Sequence, residues 1–316
     1  MSTNRRSIGA PMITLTELTC RFGDLTAVDA LSFSVRSGEL FGIVGPDGSG
    51  KTTTLRILAG VMRPTSGDAI VAGVSVATDP ESAKHRIAYM SQRFGLYGDL
   101  TVRENIDFYA DLYRVPRAAR PARLERLFEF SNLGAFQKRL AGKLSGGMKQ
   151  KLSLCCALIH EPTVLLLDEP TFGVDPISRR DLWLIVHEMV ARGMTAIVST
   201  SYLDEAERCD RVAMLQNGKL AALDAPAVLQ DRLALRAIIV ETDAPRKAAT
   251  LLQTQPGVRS AALFGRALHV TTVREGMQPH LADLLRGAGI SVLAIRPLEP
   301  SLEDVFIDLT SATHVN

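Results

Sequence analysis

Three groups of residues in this chain have types and spacings suited to handling phosphate esters. The first is Gly45-Pro46-Asp47-Gly48-Ser49-Gly50-Lys51-Thr52, followed by Thr53. Glycines here let the backbone wrap closely around phosphates, and N–H groups at a helix start point at them. Lys51 adds a mobile positive charge for the outer phosphates, and the Thr52 hydroxyl can ligate Mg²⁺. The second group is Leu144-Ser145-Gly146-Gly147, ahead of a long apolar helix. Ser145 reads as an N-cap, and the glycines leave the first N–H groups uncovered, which makes a second anion site. Asp168-Glu169 is the third, at the exit of the apolar run 164–167. Paired acids there divide the work: Asp168 holds a metal shell while Glu169 polarises a water.

These residues need elements to position them. Residues 40–44 form a short apolar run with the pattern of a buried strand, and 53–58 open a helix. Strand, glycine loop and helix in that order are the context a phosphate cradle requires. Alternation predicts strands at 12–20 and 28–35, and further strands are expected at 69–76 and 87–92. The last ends in Gln92, at the strand edge where ligands sit in open α/β sheets, within reach of Mg²⁺ or an attacking water. Thr101-Val102-Arg103-Glu104 is a capping box that starts a helix to about residue 113, with a second helix at 122–130. Asp175 follows the acid pair in a tight loop, then come a helix at 178–191, a strand at 194–199 and a short helix at 204–209. A hairpin closes through Asn217-Gly218. Phe22 is suited either to stacking on a purine ring or to filling a core, and Trp183 reads as core.

With 316 residues and 46% apolar content, the chain can build one large domain and a smaller one. A formal net charge of +2 gives no electrostatic case for gripping nucleic acid. Its apolar runs fall short of the ~18 residues that cross a bilayer, and no secretory signal is expected from 1–12. Cys20, Cys155, Cys156 and Cys209 form no Cys-x-x-Cys pair, so reduced, buried thiols are expected. Beyond Pro226 the pattern becomes strand, helix, two strands, helix, strand, which is the ferredoxin-like split βαβ order. His269 and His280 look isolated there, and no metal site is expected.

Taken in order, the residues up to about 225 resemble the nucleotide-binding subunit of an ATP-binding cassette (ABC) transporter. The likeness rests on a Walker A stretch (45–52), a Q-loop (Gln92), the Leu144–Gly147 signature, a Walker B stretch ending Asp168-Glu169, and a D-loop (Asp175). The fold class it implies is α/β: a P-loop NTPase of ABC ATPase type with a helical subdomain, plus a small C-terminal ferredoxin-like α+β domain. The expected layout is a disordered segment at 1–12, a cassette at 13–228 with its helical subdomain at about 93–160, and an accessory or regulatory domain at 230–316.

The resemblance also implies ATP and Mg²⁺ as ligands, with Thr52, Gln92 and Asp168 at the metal and Phe22 stacked on adenine. Glu169, Lys51, Gln92 and Ser201 are its implied catalytic residues. Two such domains, identical or different, would close head to tail, so that Ser145 and Gly147 touch nucleotide held by the partner. Closure would drive an integral membrane permease of ABC-2 type, with the chain in the cytoplasm, peripheral on the inner face of the plasma membrane, and without a nucleic-acid partner. Pro300-Ser301-Leu302-Glu303-Asp304-Val305-Phe306 resembles the ending of drug- and antibiotic-exporter ATPases, which favours export of drugs or other hydrophobic compounds. One position departs from the pattern: Ser201 stands where such proteins usually carry a histidine. Two rival readings remain, a soluble ABC-class ATPase acting on nucleic acid or ribosomes and a slow regulatory pseudo-ATPase.

Overall fold

The structure is a computed structural model that describes residues 11–92 and 95–311. Most of the segment expected to be disordered (1–10 of 1–12), and the opening of the helical insert at 93–94, lie outside the described residues. Pro11 and Met12, by contrast, already belong to a strand. The backbone divides into two compact units, one running to Ser201 with 215–220 and the other holding 202–214 and the chain from 221 on.

In the first unit, β1 (Pro11–Phe22) and β2 (Leu25–Arg36) precede β3 (Leu40–Val44) and α1 (Lys51–Leu58). Next come β4 (Ser66–Val71), β5 (Val74–Ser75), α2 (Pro80–Lys84) and β6 (Ile87–Met90). Helices α3 (Val102–Leu112), α4 (Arg120–Ser131) and α5 (Gly146–Leu158) follow. The series ends with β7 (Val164–Asp168), α6 (Pro176–Ala191) and β8 (Thr195–Thr200).

These strands make two sheets of different character. One is antiparallel, in the order β2-β1-β4-β5. The other runs parallel through β3, β8, β7 and β6. Every residue of β3, β7 and β8 is buried. A strand covered on both faces cannot alternate, so it reads as a continuous apolar run, and each buried Leu, Ile or Val adds roughly 1.5–3 kcal/mol. Parallel strands also finish at one edge of the sheet. Val44, Met90, Asp168 and Thr200 therefore release their loops side by side.

The single strand expected at 69–76 is two strands. Ala72 and Gly73 both take left-handed φ values, 49° and 81°, and Val71 pairs with Val74 across them. That is a two-residue turn with φ > 0 at both centres, the geometry that matches strand twist. Elsewhere the local signals hold. The α3 capping box is reciprocal: the Glu104 N–H donates to Thr101 Oγ1 at 3.2 Å and the Thr101 N–H to Glu104 Oε2 at 2.8 Å. Buried Asn105 donates to the carbonyls of Tyr97, Leu100 and Thr101, which ties the helix to the loop before it. Trp183 is buried, and so are the four cysteines, all of them free. Burial pushes the thiols of Cys155 and Cys209 up to about 12, so they stay protonated and inert.

The second unit takes in α7 (Leu203–Ala206) and parts of β9 (Arg211–Gln216) and β10 (Lys219–Asp224). Helix α7 is shorter than the expected 204–209, and the β9–β10 turn has Asn217 and Gly218 at positive φ, as expected. Next come α8 (Pro226–Ala234), β11 (Ala237–Thr242), α9 (Pro245–Gln253) and β12 (Val258–Phe264). The chain continues through β13 (Ala267–Thr272), α10 (Gln278–Gly287), β14 (Val292–Pro297) and α11 (Leu302–Ser311). The strand order β12-β13-β11-β14 is antiparallel throughout and matches the ferredoxin-like expectation. Ile238, Val240, Leu268 and Val270 face a core shared with Leu252 of α9 and Leu281 and Leu285 of α10.

The alternate residues of β13 meet α11. His269 Nδ1 lies 2.7 Å from Asp304 Oδ1, and Thr271 donates to Asp308 at 2.8 Å. His269 is therefore not isolated as the sequence suggested. Helix α11 also packs against α7 and α8. That is why 202–214 groups with this unit, in place of a single break near 228–230.

One partly buried titratable group in the first unit has a measurable consequence. His160, just past α5, stacks on Tyr113 with ring centres 4.0 Å apart, and its Nε2 donates to the Ile87 carbonyl at 3.2 Å. Burial lowers its pKa from 6.5 to about 4. An unfolded chain takes up the proton first as pH falls, so stability is fully present above 6.5 and drains away toward pH 4. His160→Phe keeps the stack and removes the titration. The stability difference between variant and wild type, read by urea unfolding at stepped pH, should shift in the variant's favour across that window. A difference that stays constant would contradict it.

Candidate active site

The loops leaving the parallel strands line a cleft of about 590 Å³. On its floor is the turn from β3 into α1, and close backbone approach explains two of its glycines. A Cβ on Gly45 would lie 2.3 Å from the Leu215 carbonyl oxygen, and one on Gly50 would lie 2.5 Å from that of Ala27. Gly50 also has φ +101°, which only glycine adopts without strain. It sits at the N-cap of α1, whose first N–H groups have no acceptor within the helix and no side-chain cap. Asp47, Gly48, Gly50, Lys51, Thr52 and Thr53 all line the cleft. Gly45, Pro46 and Ser49 stand behind them, and Ser49 Oγ is buried with no hydrogen-bond partner.

Lys51 is 4% exposed and folds back on the loop. Its Nζ donates to the carbonyls of Gly45 at 2.7 Å and Pro46 at 3.0 Å, and lies 3.4 Å from Glu169 Oε1. The Glu169 carboxylate has two more partners. Gln92 Nε2 donates to Oε2 at 3.1 Å, and Ser201 Oγ donates to Oε1 at 2.9 Å. Ser201 also lies 3.3 Å from Asp47 Oδ1. Asp168, 1% exposed, receives the Thr52 hydroxyl at 3.0 Å and the Tyr89 hydroxyl at 3.3 Å. Burial first, and then the Asp168 charge, push the Tyr89 pKa to about 12, so Tyr89 stays a neutral donor. A threonine hydroxyl beside a carboxylate is an all-oxygen donor set, which suits a hard divalent cation such as Mg²⁺.

Residues from all three sequence groups are ordered, but they do not all meet in this cleft. Phe22, Gln92 and Glu169 line it with the glycine loop. Leu144, Ser145, Gly146, Gly147 and Asp175 do not. Ser145 caps α5 as expected, accepting the Met148 N–H at 3.3 Å. Asp175 caps α6 by accepting the Ser178 N–H at 3.0 Å, and that bond lowers its pKa. Gly147 has a local reason to be glycine, since a Cβ there would lie 2.0 Å from Ser178 Oγ. Sequence reasoning missed Leu25, Thr26, Ala27, Phe172 and Asn217 in the cleft wall. Asn217-Gly218 gave a turn signal but none for its partner, the 26–27 backbone, which approaches Gly218 to within 2.9 Å of where a Cβ would sit.

The ABC transporter family matches residues 28–172, and the DrrA1-3-like ATP-binding protein C-terminal domain matches 226–310. The probable multidrug ABC transporter ATP-binding protein YbhF of Escherichia coli is 44% identical over 302 residues. That match takes in 94% of this chain but 52% of YbhF, so the chain spans about half of that relative's length. The Nod factor export ATP-binding protein I of Burkholderia orbicola is 36% identical, with 92% of this chain and 94% of the relative covered. Among solved structures, an ATP-binding subunit of an ABC transporter is 29% identical with a TM-score of 0.64, over 70% of this chain and 92% of that one. A dimeric bacterial ABC transporter cassette gives 25% and 0.62, over 68% and 98%. With the phosphate-cradle geometry and near full-length similarity to an ATP-binding protein of known type, the chain belongs to the family of ABC transporter ATP-binding proteins.

Proposed function

We propose that this chain binds and hydrolyses ATP to power a membrane permease, and that it works as one of two paired cassettes. The observation that carries this reading is the convergence of Lys51, Thr52, Asp168 and Glu169 at one cleft beside a glycine loop. Backbone N–H groups of 48–53 would hold the phosphates, and Phe22, half exposed at the cleft wall, would stack on the adenine. Lys51 has only carbonyl partners and one carboxylate to leave, so it can swing onto the outer phosphates. Thr52 and Asp168, with the Gln92 amide oxygen, would hold Mg²⁺, which when bound supplies charge neutralisation at those phosphates. Glu169, released by Lys51 and Gln92, would take a proton from the attacking water.

The signature residues Leu144–Gly147 and Asp175 lie outside this chain's own cleft. A second cassette, the same or different, would bring its signature to the nucleotide and complete the site. The exported cargo is read from relatives: one is named for multidrug transport and the other for Nod factor export. Export of drugs or other hydrophobic compounds through an ABC-2 type permease is the reading we adopt. No helix among the described residues is long and apolar enough to cross a membrane, so the span would belong to that permease. The chain would sit on its cytoplasmic face, at the inner side of the plasma membrane. The accessory domain expected at 230–316, which falls within the second unit, would serve regulation or dimer stability.

Ser201 supports a slow-turnover variant of the same reading. Its hydroxyl already donates to Glu169, and it carries no positive charge to offer a phosphate. Ser201→His should raise steady-state ATP hydrolysis, and a rate that stays the same or falls would remove the idea. Glu169→Gln should cut turnover by roughly 10²–10⁴-fold, the usual share of a general base, while ATP affinity persists. Sizing chromatography with Mg-ATP should then show a nucleotide-bound dimer. A variant that binds ATP yet stays monomeric would count against the paired-cassette mechanism.

A further inference from the structure

Ser199 occupies a position that none of the phosphate motifs includes. It lies on β8 directly beside Asp168 of β7 in the parallel register, and it is fully buried. Its hydroxyl donates to Asp168 Oδ1 at 2.8 Å and accepts the Glu169 N–H at 3.0 Å. The direction of each bond is fixed by chemistry. An N–H can only donate, so the single hydroxyl proton goes to the carboxylate. The Ser199 carbonyl is a second acceptor for the same N–H, at 3.2 Å. Glu169 needs this anchoring, because its φ is +48°, a left-handed conformation that strains a non-glycine residue. On the other side of β7, Tyr89 of β6 donates to Asp168 Oδ2 at 3.3 Å. The two oxygens are thus gripped from the two flanking strands, while Thr52 shares Oδ1 with Ser199.

We propose that Ser199 is a positioning residue for both acids, orienting the Asp168 carboxylate against Thr52 and holding the left-handed turn that sends Glu169 into the cleft. Tyr89 is its counterpart on the second Asp168 oxygen. The assignment rests on the proposed ATPase reading and extends it. Ser199 acts through its neighbours and touches no nucleotide-facing surface itself. Hydroxyl partners of a metal-binding carboxylate typically govern metal affinity by about 10–100-fold, without making direct contact with the metal. The turn at Glu169 adds a second effect, on turnover. The Tyr89 hydroxyl meets Asp168 and the Arg56 side chain, so its part lies on the Asp168 side of the pair.

The test compares the full-length wild type with Ser199→Ala, Ser199→Thr and Tyr89→Phe. Binding of a fluorescent ATP analogue is titrated in EDTA and across a range of Mg²⁺, and steady-state hydrolysis and thermal melting are followed alongside. In Ser199→Ala, affinity in EDTA should match wild type while the Mg²⁺ concentration for half-maximal binding rises about tenfold or more. Its kcat should fall at saturating Mg²⁺ with KM for ATP little changed. Ser199→Thr, which keeps the hydroxyl, should restore both properties. Tyr89→Phe should raise the Mg²⁺ requirement while affinity in EDTA matches wild type, and it carries the test if Ser199→Ala fails to fold.

An unchanged Mg²⁺ requirement in both Ser199→Ala and Tyr89→Phe would overturn the proposal. Equal loss of affinity with and without Mg²⁺ would overturn it too, because that pattern marks a general structural defect. A wild-type chain that binds no nucleotide would instead overturn the ATPase reading itself, and the two failures are told apart by the wild-type titration alone.

Discussion

Two carboxylates delivered to the end of an apolar strand set the terms for everything around them. Asp168 is almost wholly buried, and taking an ionised carboxylate out of water costs several kcal/mol unless its oxygens find donors. The donors come from three separate stretches: Thr52 on α1, Tyr89 on β6 and Ser199 on β8. They meet because the parallel register sets Ser199 against Asp168 and Tyr89 against Leu166. A slip of one residue in β8 would turn the Ser199 side chain to the opposite face and leave Asp168 short of a partner. The core sheet and the site are therefore one constraint. Apolar burial of β7 and β8 supplies the stability, and the polar contacts at their ends select the register.

A parallel case stands in the second unit. Asp304 and Asp308 are buried on the sheet-facing side of α11. Asp304 meets His269 and also completes a reciprocal cap with Ser301, whose N–H donates to Oδ2 at 2.8 Å. Asp308 takes Thr271 and Arg259. Such contacts add little net stability over apolar packing, but breaking one partner away leaves a buried charge uncompensated. Their effect is to fix where α11 lies along the sheet. Apolar side chains alone would tolerate sliding.

Local chemistry was legible in the sequence and tertiary closeness was not. The glycine loop, the capping box at Thr101 and the turn at Asn217-Gly218 each depend on residues a few positions apart, so composition and spacing announce them. The buried strands could be read because burial on both faces leaves an unbroken apolar run. The turn at Ala72-Gly73 was missed because alanine is an unusual residue at positive φ, and the flanking residues alternate across it. Partnerships of long reach left no trace either. His269 and Asp304 are 35 residues apart, and only the β13–α11 packing brings them together. Ser199 and Tyr89 look like ordinary strand residues until the neighbouring strand is in place.

The balance of charge in the cleft explains why its geometry must be so tightly specified. Among the described residues that line it, Lys51 is the one cation, set against Asp47 and Glu169, with Asp168 directly behind. That surface is net anionic, yet the ligand proposed for it is a polyanion. Coulomb repulsion between unit charges ~4 Å apart is about 4 kcal/mol at an effective dielectric of 20, so the arrangement would reject a bare triphosphate without compensation. Two compensations are built into the chain. Backbone N–H groups of the glycine loop offer partial positive charge with no counter-anion of their own, and the Thr52–Asp168 oxygens can recruit a divalent cation. A serine at position 201 adds no charge to either side. Affinity at this site should therefore lean more heavily on the cation than it would with a histidine there, and the carboxylate that gathers the cation has to be held in place before the nucleotide arrives.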